Sequence, residues 1–183
     1  MSLDLVWKHS LSTHSKIKSD ILDIIDDYEQ INPCPDNVTK TDFFDDICWN
    51  PSQNKYFDIL HSNWEPLLND ILEHYYAIDL LISNVWFQQY HNNDIHNWHI
   101  HGGSNLSLSY MLELPDPKYS TEFVDTKENK IFQFEDISEG DVIIFPSHVP
   151  HRSPLLASSE RKTSIAINVH LTNPSYIKID SLL

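Results

Sequence analysis

Histidine is concentrated in two short stretches of this sequence. Of the eleven histidines in the chain, most fall in one group between residues 91 and 101 and another between residues 148 and 151: His91, His96, His99 and His101, then His148 and His151. Neutral imidazole is the commonest side-chain ligand for metal ions. The two groups therefore mark where chemistry is to be expected first.

The first group contains two histidines that flank Ile100. In a β-strand, residues two apart project from the same face, so His99 and His101 form a chelating pair by geometry alone. The His-x-His spacing is weakly specific by itself, because surface strands also carry such pairs without a metal.

The second group follows an apolar strand. A turn at Gly140 leads into an apolar run over residues 142–145, which breaks at Pro146 and continues into a loop with His148 and His151. In a jelly roll, the end of such a strand lies beside the end of the His-x-His strand. A third imidazole from this loop then completes one face of an octahedral metal.

The first half of the chain has helical patterns that must support these strands. Apolar residues recur at helical spacing between residues 17 and 28, with Ser15 as a cap. A second helix is predicted after a cap at Ser62 or Asn63 and runs to about residue 76. Between them, residues 32–54 are rich in Pro, Asn and Asp, which predicts a linker.

After Leu80 the pattern changes to short β-prone runs separated by turn residues. These runs are residues 81–90, 106–114, 130–134, 141–145 and 163–171. Several short strands without intervening helices predict a sandwich or small barrel. We expect one domain over residues 1–183, mainly β, with a helical part over about 1–78 and a jelly-roll barrel over about 79–183.

Composition narrows the class of protein. The 183 residues, 40% of them hydrophobic, suit one globular domain, and the formal charge of -15 disfavours binding to nucleic acid. No apolar run reaches the roughly 18 residues of a membrane helix. The N-terminus has no secretory signal pattern. Cys34 and Cys48 do not make a disulfide framework, and we expect both to be reduced in a cytoplasmic protein.

Four motifs follow one another through the second half of the chain. In order they are His96-x-Trp98-His99-x-His101-Gly102, Leu106-Ser107-x-x-Tyr110, Gly140-Asp141-x-Ile143-x-Phe145-Pro146-Ser147, and His151 with Arg161 ten residues later. With these motifs, the region from about Trp86 to Val169 resembles the 2-oxoglutarate- and Fe(II)-dependent oxygenase superfamily. It is most similar to small oxygenases of bacteria and marine phages whose substrates are unidentified.

The resemblance implies a double-stranded β-helix and a dioxygenase that hydroxylates an unidentified substrate. Its cofactors are Fe(II) and the co-substrate 2-oxoglutarate, which reacts with dioxygen. The resemblance makes His151 the distal metal ligand and Arg161 the partner of the far carboxylate of 2-oxoglutarate, with Thr163 and Tyr110 in the same pocket. Lys162 competes with Arg161 for this role. If the chain is phage-encoded, the implied location is the host cytoplasm.

One position departs from the family pattern, in which the near pair of ligands is His-x-Asp or His-x-Glu. If His99 leads, His101 takes the place of the carboxylate; if His101 leads, Gly103 leaves that place vacant. We favour a metal bound by three histidines: His99, His101 and His151. Asp94 and Asp125 are possible carboxylate substitutes from elsewhere in the chain.

Other polar residues near the motifs have open roles. His96, Asn105 and Ser107 are expected to support the ligands or to contact substrate, and Asn84 is a further candidate. His148 is expected to be exposed in its loop. Trp98 alternates with His99 and is predicted to pack in the core.

Two other functions are consistent with the sequence. One is a cupin-like metalloenzyme with three histidines that does not use 2-oxoglutarate. The other is a non-catalytic jelly roll with a binding or structural role, because one fold serves many functions. The first predicts a metal without a 2-oxo acid, and the second predicts no metal.

Overall fold

The computed structural model describes residues 5–31 and 40–173. Three α-helices occur in the first half: α1 (His14–Ile31), α2 (Lys55–His61) and α3 (Glu65–His74). The strands are β1 (Trp7–Ser10), β2 (Lys40–Thr41), β3 (Asp79–Tyr90), β4 (His96–His99), β5 (Leu106–Glu113), β6 (Glu122–Asp125), β7 (Lys130–Phe132), β8 (Asp141–Pro146), β9 (His151–Ser153) and β10 (Lys162–Thr172). Short 3-10 turns lie at Asp46–Trp49, Pro51–Gln53 and Pro117–Tyr119.

The strands form two antiparallel sheets. The larger has the order β1-β8-β5-β10-β3-β2, and the smaller has the order β4-β9-β6-β7. Strands that are distant in sequence are neighbours in both sheets, as β1 and β8 are. This arrangement confirms the predicted mainly-β jelly roll with N-terminal helices.

The larger sheet separates two hydrophobic cores because successive strand residues point to opposite faces. On its outer face, Leu108 and Ile167 pack with Leu60 of α2, Ile71 of α3 and Trp64 between the two helices. On its inner face, between the sheets, Met111 and Phe145 pack with Phe123 of the smaller sheet. A side chain of β5 or β10 therefore faces either the helices or the space between the sheets, according to its parity.

The predicted helices over residues 17–28 and after residue 63 are confirmed as α1 and α3. The residue before α3 is Trp64, so neither Ser62 nor Asn63 caps it. Helix α2 was not predicted. It begins after Asn54, whose side-chain oxygen accepts a hydrogen bond from the Phe57 N–H. None of the described helices is long and apolar enough to cross a bilayer.

The second part of the predicted linker contains regular structure. Residues 32–39, with Cys34, lie outside the described residues, whereas residues 40–54 form β2 and two 3-10 turns. The carboxylate of buried Asp42 accepts hydrogen bonds from the Tyr56 hydroxyl at 2.6 Å and the Phe87 N–H at 2.9 Å. Composition alone does not reveal this anchoring, because Asp42 binds partners supplied by a helix and by β3. Cys48 in this segment is a buried free thiol.

Candidate metal centre and its two cavities

Three histidines converge where the two sheets meet. His99 ends β4 and is paired in register with His151, the first residue of β9. His101 lies in the loop after β4, where its backbone N–H donates to the Ser147 backbone carbonyl at 2.9 Å. One nitrogen from each ring lies within 4.8 Å of the others. The first two therefore do not project from one strand as the spacing indicated, but the loop still brings them together.

Hydrogen bonds orient all three rings in the same way. Nδ1 of His99 lies 2.8 Å from the Asn97 carbonyl, and Nδ1 of His151 lies 2.9 Å from the Val149 carbonyl. Nδ1 of His101 lies 2.6 Å from the side-chain oxygen of Asn168. These oxygens only accept, so each Nδ1 carries the proton and each Nε2 keeps its lone pair. Ligand histidines are held in this way in metal sites.

The surroundings of two of these imidazoles favour the neutral form. Burial, with a smaller contribution from His99, lowers the pKa of His151 to about 3. Burial also lowers the pKa of His101 below its usual range. Neutral imidazole is the form that ligates metals. The three side chains therefore fit a divalent transition metal in proximity and ring orientation.

The two aspartates considered as substitute ligands serve turns instead. The Asp94 carboxylate accepts from the His91 N–H at 2.8 Å. The Asp125 carboxylate accepts from the Lys127 N–H at 2.8 Å on the β6–β7 hairpin. Among the described residues, the cluster of ligating groups consists of histidines.

A fourth histidine beside the cluster has the opposite orientation. His96 stacks on His99, with ring centroids 4.1 Å apart. The Tyr90 hydroxyl donates to Oε1 of Gln88 at 2.8 Å, so the Gln88 amide nitrogen faces Nδ1 of His96 at 3.0 Å. An amide nitrogen only donates, so Nδ1 of His96 is the acceptor and its Nε2 carries the proton. His96 thus presents a donor where the other three rings present lone pairs.

An inner cavity of about 30 Å³ leads from the histidines into the space between the sheets. Buried Lys162 lies at this cavity, and its Nζ donates to Ser153 Oγ at 2.7 Å. Its ammonium also lies 4.9 Å from the centre of the Tyr90 ring. Burial lowers the pKa of Lys162 to about 7, although Glu122 acts in the opposite direction.

The residues expected to bind the co-substrate lie on the other face of the larger sheet. Arg161 donates to both carboxylate oxygens of Glu113, at 2.7 and 3.0 Å, and to Asp26 at 2.8 Å. The Thr163 hydroxyl also bonds to Glu113. The Tyr110 hydroxyl lies 2.7 Å from Nδ1 of His14 in α1. The structure therefore does not bring these three residues to the histidines.

Strand alternation accounts for this result. A shift of one residue along a strand moves a side chain to the opposite face. At the start of β10, Lys162 and Ser164 line the inner cavity, whereas Thr163 and Ile165 face the other way. The basic pair Arg161-Lys162 was visible in the sequence, but its parity relative to the cavity was not.

Two polar residues expected near the site have structural contacts. Ser107 Oγ lies 2.9 Å from Nδ1 of His101 and 2.8 Å from Ser147 Oγ, so it supports the His101 loop. The Asn105 side-chain oxygen accepts from the Leu171 N–H at 2.8 Å and holds the loop to β10.

Two expectations about exposure can be compared with the structure. His148 is exposed, as predicted. The prediction that Trp98 packs in the core was wrong, because Trp98 is 38% exposed. Its strand, β4, is at the edge of the smaller sheet, and the Arg152 guanidinium lies 4.6 Å from the Trp98 ring centre.

An outer cavity of about 690 Å³ opens in front of the histidines. His96, His99 and His101 line both cavities, so the two meet at the cluster. Four aromatic residues form a wall of the outer cavity: Phe43, Phe44, Trp49 and Trp86. The first three belong to the segment anchored by Asp42, which composition had indicated as linker.

Comparison with known proteins supports the fold assignment. No protein-family model matches the chain, and no curated protein sequence matches it. HygX from Streptomyces hygroscopicus, solved with nickel and 2-oxoglutarate bound, is similar over 96% of this chain and 87% of its own, with TM-score 0.68 and 10% identity. The viral collagen prolyl hydroxylase of Paramecium Bursaria Chlorella virus-1, in its 2-oxoglutarate complex, is similar over 96% of this chain and 97% of its own, with TM-score 0.62 and 11% identity.

A bacterial enzyme extends the same similarity. A Pseudomonas putida prolyl-4-hydroxylase matches over 91% of this chain and 92% of its own, with TM-score 0.59 and 12% identity. At such identities the comparison concerns the fold, which the resemblance of the sequence motifs had implied. The chain therefore has the jelly-roll fold of the 2-oxoglutarate- and Fe(II)-dependent oxygenases.

Proposed function

We propose that this protein is an Fe(II)- and 2-oxoglutarate-dependent dioxygenase that hydroxylates a substrate bound in the outer cavity. One observation carries the proposal. Three histidines, each with its Nδ1 beside an acceptor oxygen, bring one nitrogen each within 4.8 Å of the others, and the cavity beside them is lined by the buried Lys162. Among the described residues Lys162 forms no ion pair, so a metal site next to it suits a ligand that chelates the metal at one end and carries a carboxylate at the other.

His99, His101 and His151 would hold the iron. When bound, iron supplies the site at which 2-oxoglutarate and dioxygen react, giving succinate, carbon dioxide and a hydroxylated C–H bond in the substrate. The protein contributes the orientation of the three rings, through the acceptors at each Nδ1. Three ligands on one face leave the remaining positions of an octahedral metal for co-substrate and dioxygen.

We propose Lys162 in place of Arg161 as the anchor of the far carboxylate. Lys162 is buried at the cavity and its pKa is lowered to about 7 by desolvation. A carboxylate beside it would favour the charged ammonium and form a charge-assisted hydrogen bond. Arg161 is already bonded to Glu113 and Asp26 on the opposite face of the sheet.

The inner cavity is narrow. Its volume of about 30 Å³ suits roughly two or three water molecules, because a single water needs about 10–15 Å³ by this measure. Side chains lining the cavity must therefore rotate when a dicarboxylate enters. Arg152 is one partly buried lining residue, and its rotation would break its ion pair with Glu122.

The ligand set supports one alternative. Three histidines without a carboxylate also suit a cupin-like metalloenzyme that does not use 2-oxoglutarate, in which Lys162 would have no carboxylate to bind. For either enzyme we propose a cytoplasmic location, of the host if the chain is phage-encoded, since Cys48 is a free thiol.

Anaerobic titration tests the proposal. Purified protein is loaded with Fe(II), and 2-oxoglutarate is added while the weak visible absorption of the iron–2-oxo acid chelate is recorded. We expect the band in the wild type and its loss in His151→Ala, with His148→Ala as the matched control in the exposed loop. Iron binding without a band would favour the three-histidine alternative. Absence of metal binding would reject both enzymes and leave a non-catalytic jelly roll.

A further inference from the structure

We propose that the outer cavity selects an uncharged small molecule with a flat apolar body and a carbonyl oxygen, and that His96 donates a hydrogen bond to this oxygen. The identification of this molecule as the substrate rests on the proposed function. Its binding chemistry depends only on the residues of the cavity.

The aromatic wall selects a flat apolar body. Phe43 makes edge contacts with Phe44 and Trp86 at centroid distances of 5.3 and 5.2 Å, and it lies 6.1 Å from Trp49. Phe44 is 87% exposed and Trp49 is 62% exposed. Large aromatic side chains that are left exposed beside a cavity gain free energy when a ligand covers them.

The absence of charge selects an uncharged ligand. No Asp, Glu, Lys or Arg is present among the described residues that line the outer cavity. A charged group placed against the aromatic wall would lose hydration without gaining a counter-ion from these side chains, which is costly. The volume of about 690 Å³ lies within the roughly 300–1,000 Å³ of small-molecule pockets.

His96 supplies a directed donor. Its ring lines both cavities, and its Nδ1 is occupied by the Gln88 amide, so the proton resides on Nε2. Among the described residues, no acceptor takes this proton. A carbonyl oxygen is the acceptor that fits, because it is neutral and lies in the plane of a flat conjugated body. Stacking on His99 places the donor beside the candidate metal, where a held substrate would present its C–H bond.

Binding of three probes of matched shape tests the selectivity: acetophenone, ethylbenzene and benzoate. The indole N–H signal of Trp49 is followed by NMR at pH 8, first in metal-free protein and then with Zn(II) and 2-oxoglutarate. We expect acetophenone to bind at least as tightly as the more hydrophobic ethylbenzene, and benzoate to bind at least about tenfold more weakly. Tighter binding of benzoate than of acetophenone would overturn the inference of an uncharged ligand.

Two variants test the role of His96. Gln88→Glu replaces the amide donor by an acceptor. The proton of His96 then moves to Nδ1, and Nε2 carries a lone pair and can only accept a hydrogen bond. His96→Phe keeps the stacked ring and removes the donor. In both, the dissociation constant of acetophenone should rise by about three- to tenfold, while that of ethylbenzene stays unchanged. Gln53→Glu, at an exposed position, adds the same charge and should change neither constant.

The histidine nitrogen signals give a readout that does not depend on affinity. In ¹⁵N spectra, His96 should carry its proton on Nε2 in the wild type and on Nδ1 in Gln88→Glu. Equal acetophenone affinity in the wild type and both variants would overturn the role of His96. Acetophenone binding that needs His96, in a protein that forms no iron–2-oxo acid chelate, would reject the proposed function and leave this inference standing.

Discussion

Arg161 and Lys162 are adjacent in sequence, yet their cationic groups lie on opposite faces of the larger sheet. Lys162 Nζ donates to Ser153 Oγ at 2.7 Å between the sheets, whereas the Arg161 guanidinium binds Glu113 and Asp26 on the side of the helices. The two neighbouring cations therefore have separate surroundings. One lies at the inner cavity, and the other joins α1 to the strands.

Replacement of each cation by Met separates these functions. Lys162→Met should weaken 2-oxoglutarate binding by about 10- to 150-fold, because it removes a charge-assisted hydrogen bond of roughly 1.5–3 kcal/mol. Arg161→Met should leave the affinity within about twofold and lower the free energy of unfolding by roughly 1 kcal/mol. Calorimetric titration and urea unfolding measure the two effects. If the arginine variant loses the co-substrate and the lysine variant does not, the assignment is reversed.

Binding of 2-oxoglutarate should depend on pH through Lys162. In the free protein the pKa of Lys162 is about 7, so the amine loses its charge as pH rises above this value. A bound carboxylate raises this pKa, so binding above pH 7 takes up a proton. The dissociation constant should then increase by about tenfold per pH unit above 7 until the pKa of the bound state is reached. Titrations between pH 6 and 9 check this slope; a flat profile would indicate an arginine anchor.

The hydrogen bond from His101 to Asn168 should contribute to metal affinity. Asn168→Leu removes the oxygen that keeps the proton on Nδ1 of His101, so the ring loses its fixed orientation. We expect Zn(II) affinity to fall by about 10- to 100-fold, as is typical when such a partner is removed. Asn92→Leu, in an exposed turn, is the matched control. Competition with a fluorescent chelator measures both, and unchanged affinity in Asn168→Leu would mean that His101 is not a ligand.

Asp42 should stabilise the fold and hold in place the segment that carries most of the aromatic wall. Asp42→Ala leaves the Tyr56 hydroxyl and the Phe87 N–H without their acceptor, which should cost about 2–4 kcal/mol in urea unfolding. Asp42→Asn keeps one acceptor and should cost less than half as much.

Burial raises the pKa of Asp42 to about 6, above its unfolded value. The stability that the protonated Asp42 carboxyl adds is therefore fully present below about pH 4 and is lost as pH rises through 6. This dependence should disappear in Asp42→Asn. If the free energy of unfolding of the wild type rises between pH 4 and about 6, and this rise is absent in Asp42→Asn, the raised pKa of Asp42 is contradicted.

The sequence by itself determined the histidine pattern, the two helices α1 and α3, and the change to short strands after residue 80. These features are local. Helical periodicity, turn residues and motifs that resemble those of the oxygenases can each be recognised from residues that are close together in the sequence. They were sufficient to predict the jelly roll. The short strands β1, β2, β6 and β9 were not predicted, because two to four residues carry too little alternation to stand out.

Tertiary structure decided which side chains share the site. Side chains alternate between the two faces of β10, and this alternation places Lys162, not Arg161, at the inner cavity. The face on which each side chain lies depends on the register of β10 with β3 and β5. The loop after β4 brought His101 to His151 through a contact with Ser147. The orientation of each imidazole came from acceptors such as Asn168, which is distant in sequence. The aromatic wall came from a segment that composition had indicated as linker, since Asp42 finds its partners only in the folded chain.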